Sequence, residues 1–366
     1  MTGERAWLAL NAAELPPRTV LELLDRLDSP DAIMSATPSA LSSTVRLTPG
    51  ELTRIVEARQ RDYQPVLKAL KDLGARLVTI RDTEYPGNLR NIHDPPPMLF
   101  VRGQIRQADE QAIAIVGTRR ATPYGRMVSE ALGRDLAARG LTIVSGLAVG
   151  VDAAAHRGAL TAAGGRTIGV LACGIDVPYP RETMELREQA VARGAVISEV
   201  PPGTPARPAR FIARNRLISG LSLGVVVTEA PERSGALITA EIAADQGRQV
   251  FAVPGSVNSE LSRGTHDLLR DGARLAASAD DVLDELDLTE SAPQPVSAAE
   301  PEQASDSGLS GDERSILSAL SLQQRHVDDI VHHCQLPVSR TSAGLLMLEL
   351  KGLVRRLPGN MFMRVR

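Results

Sequence analysis

A strand-like run that breaks into a Gly/Ser loop and then an alanine-rich helix is the feature that most constrains this chain. Residues 143–160 read IVSGLAVGVDAAAHRGAL. In a parallel α/β sheet, such a unit presents backbone N–H groups to an anion. A similar unit precedes it at residues 112–132, where Gly117 follows the strand and Arg119 and Arg120 lie in the turn. Two adjacent loops of this type predict a ligand with more than one phosphate.

Hydrophobic periodicity divides the 366 residues into four parts. Residues 1–84 have the apolar spacing of helices and predict a small helical domain, with a helix beginning at Thr48-Pro49-Gly50-Glu51. Residues 85–288 alternate short apolar strands with helices, which predicts an α/β fold with a mostly parallel, doubly wound sheet. Residues 289–311 are rich in Pro, Ser, Ala and acid and predict a flexible linker. Residues 312–366 predict helices closed by a hairpin, which resembles a winged helix.

Eight strands are predicted before the linker. They are residues 77–80, 98–101, 112–116, 142–144, 167–171, 195–198, 224–228 and 249–252. Two more strands, residues 353–356 and 361–365, form the predicted hairpin.

Composition excludes several classes of protein. No apolar run approaches the length of a membrane span, and the first residues lack the pattern of a secretory signal, so a cytoplasmic protein is expected. Cys173 and Cys334 are the only cysteines, which leaves neither a disulfide framework nor a cysteine metal site. We interpret both as buried small apolar residues.

The placement of charge is more informative than the net charge of −3. Lysine occurs only three times, so arginine, the residue suited to bidentate phosphate contacts, carries nearly all the basic charge. A codon bias toward Arg and Ala also contributes to this composition. Codon bias does not, however, remove acidic residues, and two long segments of the sequence have no Asp or Glu between their ends. Residues 110–130 hold Arg119, Arg120 and Arg126, and residues 199–229 hold Arg207, Arg210, Arg214 and Arg216.

Two common phosphate-binding motifs are missing. The first loop lacks the GxGxxG spacing of a dinucleotide site, and the α/β part contains no lysine that could serve a P-loop. Walker-type NTP hydrolysis is therefore not expected. Asp152 and His156 lie four residues apart and could form an acid–base pair, but we favour a structural role at the start and on the buried face of the helix. No clustered set of His and carboxylate residues predicts a metal site or a cofactor.

The segment FIARNR at residues 211–216 is the more persuasive constellation. It places Phe211 among four arginines, and arginines can hold backbone phosphates while an aromatic ring stacks on a base. A core phenylalanine at the start of a helix is the alternative interpretation. Residues 229–239 add another strand, Ser/Gly turn and helix start, with Ser234 and Gly235 in a third possible anion cradle.

Together these segments resemble the DprA/Smf DNA-processing family. The matching motifs run in order over residues 85–273: YPGNLRNIHDPPPMLFVRG, IVGTRRATPYG, IVSGLAVGVDAAAHRGAL, GVLACGIDVPYPRE, ISEVPPGTPARPARFIARNRLISGLS, VVVTEAPERSGALITA and VFAVPGSVNSELSRGTHDLLRDGA. The resemblance implies an extended Rossmann-like core that binds single-stranded DNA without catalysis and forms a homodimer. It also implies a recombination mediator that protects incoming strands and loads the RecA recombinase onto them during natural transformation.

The resemblance also implies which residues contact DNA. The positions carried over from the family are Gly117, Thr118, Arg119, Ser145, Gly146, Phe211, Asn215, Arg216, Ser234 and Gly235. Arg157 and the other arginines of the acid-free window, Arg207, Arg210 and Arg214, are also predicted to contact DNA. Arg157 stands where the family commonly has Lys, which keeps the charge. His266 stands where Asn is common, which leaves the role of that last loop open.

The flanking parts match the family in type only. The N-terminal helices look like a sterile-alpha-motif or helix-hairpin-helix domain. The winged-helix-like tail could supply a second DNA contact through Arg340 or Arg355, and duplex binding is left open. The competing hypothesis is a Rossmann-like enzyme that hydrolyses the N-glycosidic bond of nucleoside monophosphates. Such relatives carry a PGGxGT loop, and residues 230–236, APERSGA, lack the paired glycines. The binding protein, without catalytic residues or cofactor, is therefore favoured.

Overall fold

The computed structural model describes residues 3–288, 309–321, 324–357 and 359–364. It contains two compact units, Met1–Gln294 and Pro295–Arg366. Most of the predicted linker, residues 289–308, lies outside the described residues. None of the helices in the described part of the chain combines the length and apolar character that a membrane crossing requires.

The first unit begins with six helices. They are α1 (Glu4–Ala12), α2 (Pro17–Leu27), α3 (Pro30–Ser35), α4 (Pro38–Thr44), α5 (Pro49–Gln60) and α6 (Gln64–Asp72). The predicted start of α5 is confirmed: Thr48 Oγ1 accepts a hydrogen bond from Glu51 N at 3.3 Å, and Thr48 N donates to Glu51 Oε2 at 2.7 Å. The buried leucines of these helices continue into a core with Met98, Phe100 and Leu171 of the sheet. The N-terminal helices therefore pack directly on one face of the sheet.

A nine-stranded sheet forms the centre of this unit, in the order β1-β2-β6-β5-β4-β3-β7-β8-β9. Its strands are β1 (Ala75–Thr79), β2 (Met98–Gly103), β3 (Ala112–Val116), β4 (Thr142–Ser145), β5 (Thr167–Leu171), β6 (Gly194–Ser198), β7 (Gly224–Val227), β8 (Gln249–Ala252) and β9 (Arg274–Leu275). In sheet order from β6 to β9, neighbouring strands are parallel. β1 pairs with β2, and β2 with β6, in the antiparallel sense. Strands β3 to β7 are buried along their whole length, as expected for a sheet covered on both faces. The predicted mostly parallel, doubly wound fold is confirmed.

Helices connect the strands on both faces. They are α7 (Gly87–Arg90), α8 (Pro123–Ala138), α9 (Val151–Thr161), α10 (Met184–Arg193), α11 (Pro208–Gly220), α12 (Gly235–Asp245), α13 (Arg263–Arg270) and α14 (Ala279–Glu285), with short 3₁₀ turns at Gln107–Glu110, Arg181–Thr183 and Glu260–Ser262. The chain runs outward from β3 through β4 and β5 to β6, then returns to the other side of β3 as β7. Ligands of open α/β sheets bind at such a reversal, beyond the carboxyl ends of the strands.

One strand lies before the predicted domain boundary at residues 84 and 85. β1 falls in the segment assigned to the N-terminal helical domain, yet it pairs along its whole length with β2, from Ala75 opposite Arg102 to Thr79 opposite Met98. The sheet therefore begins ahead of that boundary.

Within its described residues, the second unit contains three helices and a three-stranded sheet in the order β10-β12-β11. Its elements are α15 (Gly311–Ala319), β10 (Arg325–His326), α16 (Val327–Cys334), α17 (Val338–Leu350), β11 (Val354–Leu357) and β12 (Met361–Arg364). The predicted helices and hairpin are present, and Ile316, Ile330 and Leu345 belong to their shared core. Of the two arginines predicted as a second DNA contact, Arg340 pairs through Nε with Asp312 Oδ2 at 2.7 Å, and Arg355 is exposed.

Candidate nucleic-acid interface

The predicted anion loops meet at the carboxyl ends of β3, β4 and β7. The loop after β3 carries Gly117, Thr118 and Arg119, and the loop after β7 carries Ser234 and Gly235. Helix α11 begins beside them and brings Phe211 to the same place. The structure therefore joins segments that lie more than a hundred residues apart at the reversal point of the sheet.

A cation–π contact marks the centre of this region. The guanidinium carbon of Arg119 lies 4.7 Å from the centroid of the Phe211 ring. Tyr179 completes the cluster, with its ring centroid 5.7 Å from that of Phe211 and its hydroxyl 3.5 Å from Arg119 Nη1. Arg119 is exposed and has no acidic partner within the described residues. An exposed cation over an aromatic ring offers one group to a phosphate and another to a base.

Two cavities adjoin this cluster and share Arg119, Ala148 and Phe211. The switch-point cavity, of about 420 Å³, is also lined by Gly117, Thr118, Arg120, Asp152, Arg214, Asn215, Arg233, Ser234 and Gly235. The tyrosine cavity, of about 440 Å³, is also lined by Gly146, Cys173, Tyr179, Arg181 and Glu182. Arginine predominates among their charged residues, which suits a polyanion.

Arg214 lies beneath the two loops rather than at the surface. Only 7% of the residue is exposed, and its Nη1 donates to the carbonyl oxygens of Gly146, at 3.0 Å, and Val170. A β-carbon at Gly146 would come within 2.3 Å of the guanidinium, so the second loop needs glycine there. Burial lowers the pKa of Arg214 to about 10, which leaves it charged at neutral pH.

Asp152 and Ser145 hold the second loop from within. Gly146 N donates to Asp152 Oδ2 at 3.1 Å. Burial raises the pKa of Asp152, and the nearby Arg214 opposes that shift. Ser145 has no exposed surface, and its hydroxyl donates to the Ile115 carbonyl at 2.6 Å. These side chains shape the loop, and the Ser145 hydroxyl is already used inside the protein.

His156 is a buried, neutral packing residue. Thr167 Oγ1 donates to the Ile143 carbonyl at 2.6 Å, so the contact of 2.6 Å between His156 and Thr167 requires Nδ1 to be the donor. Burial lowers the pKa of His156 to about 3. The side chain lines neither cavity, so the structure does not present Asp152 and His156 together to a substrate. Among the described residues, no group of three or more His, Cys, Asp or Glu is placed to hold a metal ion.

The third loop begins a helix at the cavity wall. Ser234 Oγ accepts a hydrogen bond from Ala236 N at 3.2 Å and caps α12. Asn215 Nδ2 donates to the Gly235 carbonyl at 3.2 Å, which ties α11 to this loop. Both Ser234 and Gly235 line the switch-point cavity, as a site for an anion requires.

Comparison with known proteins assigns the chain to a family. Residues 76–287 match the family described as DNA recombination-mediator protein A, and residues 299–360 match the DprA winged helix domain. The chain belongs to the DNA recombination-mediator protein A family. This membership confirms the resemblance to DprA/Smf proteins and the winged-helix nature of the C-terminal part.

Three relatives show how far the similarity to this family extends. DNA processing protein DprA of Bacillus subtilis is 39% identical over 259 residues, which cover 70% of this chain and 87% of that protein. The X-ray structure of DNA processing protein A from Streptococcus pneumoniae is 35% identical, with a TM-score of 0.69 over 78% of this chain and 98% of that chain. DNA processing protein A from Helicobacter pylori, described for its single-stranded DNA binding mode, is 31% identical, with a TM-score of 0.52 over 58% of this chain and 95% of that chain.

The remaining arginines that were predicted to contact DNA lie away from the cluster. Arg216 lies on the other side of α11, where Nε is 3.2 Å from Asp94 Oδ2 and Nη2 donates to Glu199 Oε1. Arg210 Nη1 donates to the Pro205 carbonyl at 2.6 Å. Arg207 and Arg157 are exposed and line neither cavity. DNA contact by these four residues stays a prediction.

Sequence reasoning missed several residues of the interface. Tyr179 stands 38% exposed in a turn after β5 and contacts both Arg119 and Phe211. Arg233 and Arg181 line the two cavities beside it. An aromatic residue within the turn PYPRE was the available signal, because turns that follow parallel strands lie at the ligand-binding edge of the sheet.

Proposed function

We propose that this chain is a single-stranded DNA-binding protein and recombination mediator that acts without catalysis. The contact between Arg119 and Phe211, at the junction of the two cavities, is the observation that carries the proposal. A guanidinium without an acidic partner can neutralise a backbone phosphate, while Phe211 and Tyr179 provide faces on which any base can stack. Binding of this type does not depend on sequence and suits a protein that receives strands of arbitrary composition.

Family membership supports a proposal for the partners and the cellular role. We propose that the protein forms a homodimer in the cytoplasm, protects incoming strands during natural transformation and loads RecA onto them. The Helicobacter pylori relative, whose structure is described for its single-stranded DNA binding mode, supports single-stranded DNA as the ligand. Assembly of RecA on a strand precoated with single-strand binding protein tests the mediator role. Acceleration by this protein is expected, and an unchanged assembly rate would contradict it.

Replacement of Arg119 tests the interface directly. Arg119→Ala should weaken binding of a mixed-sequence oligonucleotide by about tenfold or more, because a phosphate contact and the support of Phe211 are both lost. The slope of log affinity against log salt should become shallower by ~0.7 for the one phosphate contact. An electrophoretic shift at several salt concentrations measures both quantities. Arg46→Ala, which removes an exposed arginine that lines neither cavity, is the matched control.

Two outcomes would contradict this interface. Equal loss in Arg119→Ala and Arg46→Ala would indicate only a general effect of net charge. An unchanged affinity in Arg119→Ala with the fold intact would remove the cluster from the contact surface. Release of free base from nucleoside monophosphates by the pure protein would instead favour the hydrolase hypothesis.

A further inference from the structure

A third cavity, of about 440 Å³, lies between the N-terminal helices and the sheet. One wall comes from α1 and the turn after it, with Trp7, Leu10, Asn11 and Leu15. The opposite wall comes from the segment after β6 and from α11, with Glu199, Thr204 and Ala213. We call it the tryptophan cavity, because it contains the only tryptophan of the chain, a half-buried side chain.

The charges around the tryptophan cavity balance. Three acids (Glu14, Asp94 and Glu199) and three arginines (Arg61, Arg210 and Arg216) line it. Arg216 pairs with both Asp94 and Glu199, so much of this charge is neutralised within the wall. Such a lining offers little electrostatic attraction to a phosphate, whereas the arginine-rich switch-point and tyrosine cavities offer more. The occupant that fits best is neutral.

The remaining lining suits a flat heterocycle. Trp7, Met98 and Leu15 supply apolar surface, and an indole ring is a good stacking partner for a base. Asn11, Thr204 and the Glu199 carboxylate supply donors and acceptors for a polar edge. Asn11 is held in place because its Nδ2 donates to the Glu199 carbonyl at 3.3 Å. A nucleobase has this combination of apolar faces and hydrogen-bonding edge.

Helix α11 forms a wall of this cavity and of the DNA interface. Phe211, Arg214 and Asn215 face the switch-point cavity, whereas Arg210, Ala213 and Arg216 face the tryptophan cavity. Residues 210 and 211 are consecutive, so the two cavities are separated by the width of one helix. A strand bound at Phe211 is therefore close to the tryptophan cavity.

We propose that the tryptophan cavity is a second ligand site that binds a nucleobase stacked on Trp7. The base has two possible sources with the same chemistry: a free nucleoside, or a nucleotide further along the strand bound at Arg119. The second source rests on the proposed function, and the first does not.

The single tryptophan makes this site directly observable. The test is to titrate the protein with adenosine and, separately, with a mixed-sequence single-stranded DNA oligonucleotide, and to follow the fluorescence of Trp7. Saturable quenching is expected. Ala213→Leu fills the cavity from an exposed helical position without removing a hydrogen bond. This change should lower the affinity for the ligand that quenches Trp7 by about tenfold or more. Ala209→Leu, at an exposed position of α11 that lines none of the three cavities, should leave the affinity unchanged.

Arg119→Ala then distinguishes the two sources. Adenosine quenching that persists in Arg119→Ala supports a free nucleoside site. Quenching by the strand alone, shifted in Arg119→Ala to higher strand concentrations in parallel with the electrophoretic shift, supports a base of the bound strand. Absence of quenching by both ligands, or equal quenching in wild type and Ala213→Leu, would overturn the proposal. The electrophoretic shift measures strand binding separately, so failure of this site and failure of the proposed function remain distinguishable.

Discussion

At the scale of single residues, two arginines from acid-free windows have opposite environments. Arg119 is exposed over an aromatic ring, whereas Arg214 is buried and donates to the Gly146 and Val170 carbonyls. Sequence windows identified both but could not distinguish them, because the burial of an arginine depends on carbonyl groups that other strands bring to it. The structure therefore separates a contact residue from one that supports the loop.

Arg214→Lys should destabilise the protein although it preserves the charge. Both carbonyl oxygens accept from one nitrogen, Nη1, at the far end of the guanidinium. The lysine side chain is one bond shorter and does not reach this position, and loss of a charged buried hydrogen bond costs about 1.5–3 kcal/mol. Urea unfolding measures the free energy of unfolding. Arg119→Lys, at an exposed position, should unfold as the wild type does, and equal stability of both variants would refute the supporting role.

His156 should make the stability of the fold sensitive to acid. Burial lowers its pKa from the usual 6.5 to about 3, so below pH 6.5 the unfolded chain takes up a proton that the folded chain excludes. The free energy of unfolding should fall by up to about 1.4 kcal/mol per pH unit between about pH 6.5 and pH 3 from this residue alone. Denaturant titrations between pH 7 and pH 5 measure the slope.

The slope in His156→Gln should be smaller than in wild type, because glutamine does not titrate. His93→Gln, at an exposed position, serves as the matched control and should keep the wild-type slope. A wild-type slope in His156→Gln would show that other groups account for the acid sensitivity.

At the scale of elements, helix α9 starts where two loops come into close approach. Gly150 precedes it with φ of +87°, and a β-carbon there would lie 2.4 Å from the Thr118 carbonyl oxygen. Gly150 therefore needs both the left-handed conformation and the missing side chain. The loop after β3 and the start of α9 are fixed to each other at this point, and Val151 N donates to Thr118 O at 3.3 Å.

Gly150→Ala and Gly164→Ala separate these two requirements. Gly164 also has a positive φ, +70°, but nothing lies within 4 Å of its added β-carbon. Gly164→Ala should cost about 1 kcal/mol, the strain of the left-handed region, whereas Gly150→Ala should cost about 3 kcal/mol or more because the loop must also move. Thermal unfolding compares them. Equal destabilisation would show that the close approach adds nothing.

The sequence predicted the strands well because most of them are buried on both faces. The runs at β3, β5 and β8 were predicted with their observed bounds, since short, mostly apolar segments that alternate with helical ones have few other interpretations. The predicted role of β1 was incomplete. Its membership of the sheet depends on pairing with β2, and the pairing of an edge strand with its neighbour leaves no periodic signal in a single sequence.

At the scale of the whole molecule, the site could be predicted only as far as its motifs. The resemblance to the family grouped Arg119, Phe211 and Ser234 as DNA contacts, and the structure brings them together where loops after parallel strands converge. The sequence could not predict that Arg216 pairs with Asp94 and Glu199, since these acids lie outside or at the edge of the window that appeared free of acids. Tyr179 was missed because its neighbours, Arg119 and Phe211, come from distant segments of the chain.

Fragments test which part of the chain carries the interface. Residues 1–294 contain every residue of the cluster and should bind a single strand within about twofold of the full chain. Residues 85–294 lack β1 and the N-terminal helices, which exposes the edge of β2 and the apolar face around Phe100. This shorter fragment should aggregate. Light scattering and the shift assay measure both outcomes, and a monodisperse shorter fragment would contradict the shared core.

The position of α11 as a wall common to two cavities has a thermodynamic consequence. If filling of one cavity shifts or stiffens the helix, the other cavity changes affinity by a definite factor. Equilibrium then requires reciprocity: the factor by which adenosine alters the dissociation constant of a strand equals the factor by which the strand alters that of adenosine. The binding of each ligand can therefore be used to measure its effect on the other. The four dissociation constants form a thermodynamic cycle, which gives the coupling free energy between the tryptophan cavity and the switch-point cavity through α11.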